Sequence, residues 1–193
     1  MLIQPRALFP LSAFLFLCAG CADTEKGVLQ DLGLTFESRA RHVRLALPRM
    51  AGWETSLMGR DSPLPKSVVF GAVHQGKLIN VILSVEPLNS DLEDYLLIIR
   101  EANEFDKRPG YQDMGREDIT LNGRPAVRFV YRADVDMAGG KGDSLDMKTY
   151  VYTNVLVKCN EFNVWLEIST RGEAYERKGK LIEDIVKGLE ILE

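Results

Sequence analysis

The serine of Gly142-Asp143-Ser144-Leu145 is a useful nucleophile only where a histidine takes its proton. The chain has two histidines, His42 and His74, and both lie upstream. Three places before them stand Arg39 and Gly71, where an Asp would be needed to orient such a base. Ser144 therefore reads as part of a Gly- and Asp-rich loop. Asp134, Asp136, Asp143 and Asp146 share that loop, and carboxylates this dense suit a hard cation such as Ca²⁺. Yet Asp134-Val135-Asp136-Met137-Ala138-Gly139 lacks the third oxygen ligand of an EF-hand, and no Glu follows at the required place. The expectation is a solvated acidic loop without a metal. Zinc asks for three or four His or Cys ligands, and the two histidines fall on different candidate strands, as ordinary strand surface. No catalytic set assembles, so the chain reads as non-enzymatic and without a cofactor.

The cysteines carry a different message. Leu11–Gly20 is a short apolar run, L-S-A-F-L-F-L-C-A-G, behind a start whose only charged side chain is Arg6. That is the form of a secretory signal, too short to span a bilayer comfortably. The run ends Cys18-Ala19-Gly20-Cys21, which resembles the bacterial lipoprotein box, with small residues ahead of a Cys that receives lipid. The resemblance makes residues 1–20 the signal peptide and Cys21 the acylated residue. It makes the cell envelope, on its periplasmic side, the address. Ala22 after the Cys favours the outer membrane slightly over the inner. Acyl chains on Cys21 would hold the protein stably on a membrane. Cys159 is then the only cysteine left in the mature chain, so no internal disulfide is expected. It reads as a half-buried small residue.

Composition sets further bounds. The chain has 193 residues, 46% apolar and 27% charged, with a formal charge of -4. That is enough for one domain with a full core, and it excludes a disordered tail. The absence of a basic excess argues against a nucleic-acid partner. Arg39, Arg41, Arg44 and Arg49 make the amino end locally basic, most simply as a solvated strand face.

The elements follow from periodicity. Residues 21–35 read as a lipidated tether with a short helix near Val28–Leu32, and 36–193 as one folded domain. Val43, Leu45 and Leu47 alternate with His42, Arg44 and Ala46, a half-buried strand. Trp53 follows a Gly52 turn. The runs 67–74 and 77–86 flank Gln75-Gly76, a hairpin signal. Ser90-Asp91-Leu92-Glu93 fits a capping box at the head of a helix over 90–107, whose Leu92, Tyr95, Leu96, Ile99 and Ala102 share a stripe. The runs 111–121 and 126–133 flank Asn122-Gly123, which tolerates positive φ at both turn positions. Val127, Phe129 and Tyr131 then point inward, with Arg128 and Arg132 outward. Two more strands, 147–157 and 163–170, precede a closing helix over 173–192, with Leu181, Ile182, Ile185, Val186, Leu189 and Leu192 as its apolar face. Trp53 and Trp165 read as core anchors.

Strands joined by tight turns imply an antiparallel sheet, and two amphipathic helices imply an α+β domain. Phe36 before the first long strand, the Leu47-Pro48 to Gly52-Trp53 step, the helix followed by Ile119-Thr120-Leu121-Asn122-Gly123, and the closing helix after a strand pair together resemble the PsbP-like superfamily. The bacterial DcrB-like lipoproteins are the nearest shape. The resemblance implies a central antiparallel sheet flanked by helices, a three-layer α/β/α sandwich. It also implies protein partners rather than catalysis. The wheel sets Leu97 apart from the apolar stripe, among Glu93, Glu101 and Glu104, and an exposed Leu there marks a candidate partner contact. The expected function is a protein-binding accessory or scaffold module. The alternative is a small-molecule or metal-ion binding accessory of the periplasm.

Overall fold

A computed structural model describes residues 26–30, 33–55, 67–74, 76, 78–87, 90–137 and 146–192. Two antiparallel sheets organise them. The smaller is built from β1 (Lys26–Gln30), β2 (Gly33–Ser38), β3 (Val43–Ala46) and β11 (Leu189–Ile191), in that order. The larger has seven strands: β4 (Trp53–Thr55), β5 (Val68–His74), β6 (Ile79–Glu86), β7 (Gln112–Leu121), β8 (Arg124–Asp136), β9 (Met147–Lys158) and β10 (Asn163–Arg171). Their spatial order is β4-β5-β6-β10-β9-β8-β7. Helix α1 (Leu92–Ala102) lies between β6 and β7 in sequence, and α2 (Gly179–Lys187) between β10 and β11.

The sheet separates two cores. On one side Val81, Leu83, Val155, Leu166 and Ile168 meet Phe36, Leu45, Ile182, Ile185 and Leu189, all buried. Phe36 stacks on Phe70 at 4.9 Å between ring centroids. On the other side Tyr95, Leu96 and Ile99 of α1 pack with Phe105, Phe129, Tyr131, Tyr152 and Leu156. Each such side chain contributes roughly 1.5–3 kcal/mol through its removal from water. The α+β reading holds, with mostly antiparallel strands and two helices. The layer facing the larger core is mixed, the small sheet together with α2, rather than helical alone.

Local chemistry explains where elements begin and end. Asn122 and Gly123 take φ of 50° and 76°, so the β7–β8 hairpin turns where its sequence says it must. Helix α1 starts one residue later than the capping box suggests. Asp91, not Ser90, is the N-cap, and its carboxylate accepts from the Asp94 amide at 3.0 Å. Ser90 instead accepts from Asn163 Nδ2 at 3.1 Å. The helix stops at Ala102, and a separate 3₁₀ turn, Phe105–Lys107, follows a left-handed Glu104.

Three expectations are corrected. Lys26–Gln30 and Gly33–Ser38 pair as a hairpin, where the sequence suggested a helix near Val28–Leu32 within a tether. Leu34 and Phe36, two apart on β2, are buried, which is strand rather than helix spacing. The closing helix is shorter than predicted. Two 3₁₀ turns precede α2, and Leu189–Ile191 leaves the helix to pair with β3. Gly188 makes this exit, donating to Asp184 and Ile185 carbonyls while its own carbonyl accepts from Ala46 at 2.9 Å. Arg128 does not point into water; it forms ion pairs with Glu117 and with Glu183 of α2.

Candidate recognition surfaces

The residues singled out by sequence are scattered. Cys21, Asp143 and Ser144 lie outside the described residues. Leu97 is 57% exposed on α1, with Ile98 beside it at 42%, and Glu93 one turn back is bridged by Arg116. Cys159 is buried and free, and burial pushes its thiol pKa up, away from reactivity. His74 is not strand surface. It is buried against the edge of Trp53, with ring centroids 5.2 Å apart. His42, at φ 53°, stacks on Phe162. Trp53 is buried as expected, its indole donating to the Pro48 carbonyl. Asp134 and Asp136 are not in a loop as expected but at the end of β8, paired with β9, and the described carboxylates of this stretch are spent on protein groups. Asp134 accepts from Thr149 Oγ1, Asp136 from the Asp146 amide, and Asp146 pairs with Lys148. Among the described residues no three His, Cys, Asp or Glu side chains gather as metal ligands do. Arg39 and Arg44 pair with Glu37 and Glu190.

The α1 face of the seven-stranded sheet carries a group that sequence reasoning missed. Tyr131, Tyr152 and Ser169 are register partners across β8, β9 and β10, and so are Phe129, Asn154 and Glu167 in the next row. Each row runs from aromatic to polar. Arg108, just past the 3₁₀ turn, lays its guanidinium over the rings of Phe105 (4.9 Å), Tyr152 (5.4 Å) and Tyr131 (5.8 Å). It also donates through Nη1 to the Tyr131 hydroxyl at 3.0 Å. Cation–π attraction and a charge-assisted hydrogen bond together pin the turn to the sheet. Glu167 sits in this same polar row. Burial pushes its carboxyl pKa up to about 7, against a smaller downward pull from Arg108. Burial likewise pushes both tyrosines up, and nearby Glu167 adds to it. The indole of half-buried Trp165 donates to Asn154 Oδ1 at 2.9 Å, leaving Asn154 Nδ2 buried and without a partner. The arrangement holds a carboxyl that changes charge near neutrality under an aromatic and guanidinium roof. One signal was available: on β10, Leu166 and Ile168 claim one core, so Glu167 between them faces the other.

The opposite face has an open stretch beyond α2. A groove of about 800 Å³ runs from Met114 on β7 across Arg132, Val151 and Met147 to Arg171 and the 3₁₀ turns that hold Tyr175. Met114 and Met147 are 46% and 38% exposed. A smaller hollow of about 310 Å³ continues it along β7 past Val130 to Arg128.

Comparison with solved structures places this architecture. Cyanobacterial PsbP (CyanoP) from Synechocystis sp. PCC 6803 superposes with a TM-score of 0.59 at 14% identity, covering 90% of this chain and 98% of that one. The fold is PsbP-like. The Saccharomyces cerevisiae Ran-binding protein Mog1p matches at 0.53 and 11% identity, over 83% of this chain and 96% of that one. LpqN of Mycobacterium tuberculosis, involved in cell envelope biogenesis, matches at 0.50 and 18% identity, over 88% and 91%. No family model matches the sequence, and no curated protein matches it. Within this PsbP-like body, no helix among the described residues is long and apolar enough to cross a membrane.

Proposed function

We propose that this chain is a non-enzymatic accessory protein of the bacterial envelope, tied to a bilayer by acylated Cys21 and engaging a protein partner through α1. In this reading it is a lipid-anchored PsbP-like protein, as DcrB-like lipoproteins are, with the outer membrane slightly favoured. The address rests on the Cys18-Ala19-Gly20-Cys21 box. The observation that carries the partner reading is the outward face of α1. Leu97 and Ile98 stand side by side in water on a helix whose other face is locked by Tyr95, Leu96 and Ile99. Two adjacent exposed aliphatics on a rigid helix lose little order when a partner covers them, and their burial supplies the gain. Mog1p, of the same fold, is by description a Ran-binding protein, and LpqN works in envelope biogenesis; both are in keeping with a body that binds rather than transforms.

Two measurements test the proposal. Mass spectrometry of the mature amino terminus is expected to show a lipidated Cys21, and Cys21→Ala to leave the protein unanchored. A photo-crosslinking side chain at position 97 is expected to give one discrete protein adduct in intact cells, lost in Leu97→Asp backgrounds carrying the probe at position 98. Recovery of monomer alone from both probe positions sinks the partner reading. An unmodified Cys21 sinks the address.

A further inference from the structure

The length of the anchor segment restricts which end of the body can meet the bilayer. Lys26, the first residue of β1, is the register partner of Glu37, and Ser38, next along β2, is that of Val43. The chain therefore enters the fold beside the β2–β3 turn, Arg39–His42. Cys21 lies five residues before Lys26, and five residues span at most ~18 Å even when fully extended. The far end of the seven-stranded sheet is beyond that reach, since β8 alone, Arg124–Asp136, is roughly 40 Å long. A body held by Cys21 can stand on its β2–β3 end or lie on a side. It cannot stand on the end that carries the 3₁₀ turns after β10.

Three chain reversals meet at the β2–β3 end. His42, in the left-handed region, stacks on Phe162 of the β9–β10 turn, with ring centroids 6.1 Å apart. The Leu192 amide donates to the His42 carbonyl at 2.8 Å. Asn122 of the β7–β8 turn donates through Nδ2 to the Leu189 carbonyl at 2.7 Å. Here a hollow of about 410 Å³ opens, and His42, Arg124, Phe162, Ile191 and Leu192 help to line it. An imidazole and a guanidinium thus stand beside three half-buried apolar side chains. Charge favours the same place. Residues 39–42, 122–124 and 158–162, at these turns, supply Arg39, Arg41, Arg124 and Lys158 and the single carboxylate of Glu161, in a chain whose formal charge is -4. Glu37 beside them is bridged by Arg39 at 3.2 Å, and Glu86, opposite Asn163, has its carboxyl pKa pushed up by burial. A layer of phosphates repels this part of the acidic body least.

We propose that the β2–β3 end rests on the bilayer that holds the anchor, with the phosphodiester of a phospholipid headgroup in the hollow beside Arg124 and His42, and with Phe162, Ile191 and Leu192 against the glycerol and upper acyl region. The planar fork of an arginine matches paired phosphate oxygens, and basic side chains held close to a phospholipid surface are drawn to its anionic groups. The inference rests on acylation of Cys21 as proposed above. It leaves Leu97 and Ile98 of α1 clear of the bilayer and open to a protein partner.

The test uses the full chain purified from membranes, with the state of Cys21 read by mass. It is held in nanodiscs of phosphatidylcholine or of digalactosyldiacylglycerol, a neutral bilayer lipid without phosphate. A benzophenone side chain is placed in turn at positions 40, 160, 97 and 176, all exposed, and lipid adducts are counted after irradiation. Adducts are expected at 40 and 160, and their loss at 97 and 176. In phosphatidylcholine, Arg124→Gln is expected to lower the yield at 160 about tenfold, and in the galactolipid to leave it unchanged. His42→Asn is expected to act in the same direction. It keeps a residue that tolerates the left-handed backbone, so it decides the matter if Arg124→Gln lowers the melting temperature. Equal adducts at 40 and 176 overturn the proposal, because the body then has no preferred end. Adducts concentrated at 97 also overturn it, and turn α1 to the bilayer instead. So does a yield at 160 that neither variant lowers in phosphatidylcholine, or that both lower equally in the galactolipid. An unmodified Cys21 removes the anchor and the docking together, whereas a lipidated Cys21 without adducts at 40 or 160 removes the docking alone.

Discussion

Arg108 and Arg132 face opposite sides of the seven-stranded sheet, and their surroundings differ in kind. Arg108 rests on three aromatic rings and gives a hydrogen bond to Tyr131. Arg132, the neighbour of Tyr131 on β8, points the other way into an open groove and has no ion pair among the described residues. The first cation is consumed in holding a turn; the second is available. The difference teaches that the α1 face is closed by its own side chains, while the α2 face is closed only as far as the ion pair of Arg128 with Glu183.

The comparison breaks most readily through the cores themselves. Phe105→Ala removes a buried ring stacked on Tyr131 at 4.8 Å and is expected to cost about 3–5 kcal/mol, read from urea midpoints. On the other face, a Cβ at Gly188 would sit far inside contact distance of the Ala46 carbonyl oxygen. Gly188→Ala is therefore expected to cost about 3 kcal/mol or more, because backbone must move. If the two cores are separate, the double variant is additive to within about 0.5 kcal/mol; strong coupling would show that the sheet transmits strain between them.

The next effect is one of pH. Glu167 has a folded pKa of about 7 against an ordinary value of 4.5, so between those values the folded chain holds more protons than the unfolded one. Stability is then highest below pH 4.5, as far as this group is concerned, and falls as pH rises through 7. The loss is up to about 3 kcal/mol. Glu86, also pushed up by burial, tilts the curve the same way. Glu167→Gln is expected to flatten the slope between pH 5 and 8 and to raise the melting temperature at pH 8. An unchanged slope would place the carboxyl in ordinary solvent.

The two arginines themselves sharpen the contrast. Arg108→Ala is expected to lose about 2 kcal/mol, from the ring contacts and the charged hydrogen bond, whereas Arg132→Ala stays within about 0.5 kcal/mol. Equal losses would erase the distinction between a spent and an available cation. Smaller again is the start of α1. Asp91→Ala is expected to cost about 1 kcal/mol, which thermal denaturation resolves, and so confirms which residue caps the helix that closes the aromatic face.

Much of this architecture is written in local pattern. Alternation marks β3 and β8, β-rich runs mark β5, β6, β9 and β10, and Asn122-Gly123 fixes the β7–β8 hairpin by dihedral preference alone. Local pattern fails where a distant partner decides. Leu189 and Leu192 fit the helical stripe of Leu181, Ile182 and Ile185, yet Leu189 pairs with Leu45; the one local warning was Gly188, a helix stop. His74 reads as surface until Trp53 packs on it. Arg108 is invisible as a site because its rings come from Phe105 nearby but from Tyr131 and Tyr152 far along the chain. The groove is invisible for the same reason, since Met114, Arg132, Met147 and Arg171 belong to four strands. Leu97 was legible because exposure on one helix is a one-dimensional property.

The pairing of β11 with β3 also sets an order of events. Residues 43–46 are made well before the strand that completes their sheet, which follows about 145 positions later, as the Arg44–Glu190 contact records. A chain delivered amino end first must keep that edge unfilled until Leu189–Ile191 arrive. A stop codon just before Leu189 would therefore leave this sheet unfinished, although every residue of its first three strands had been made.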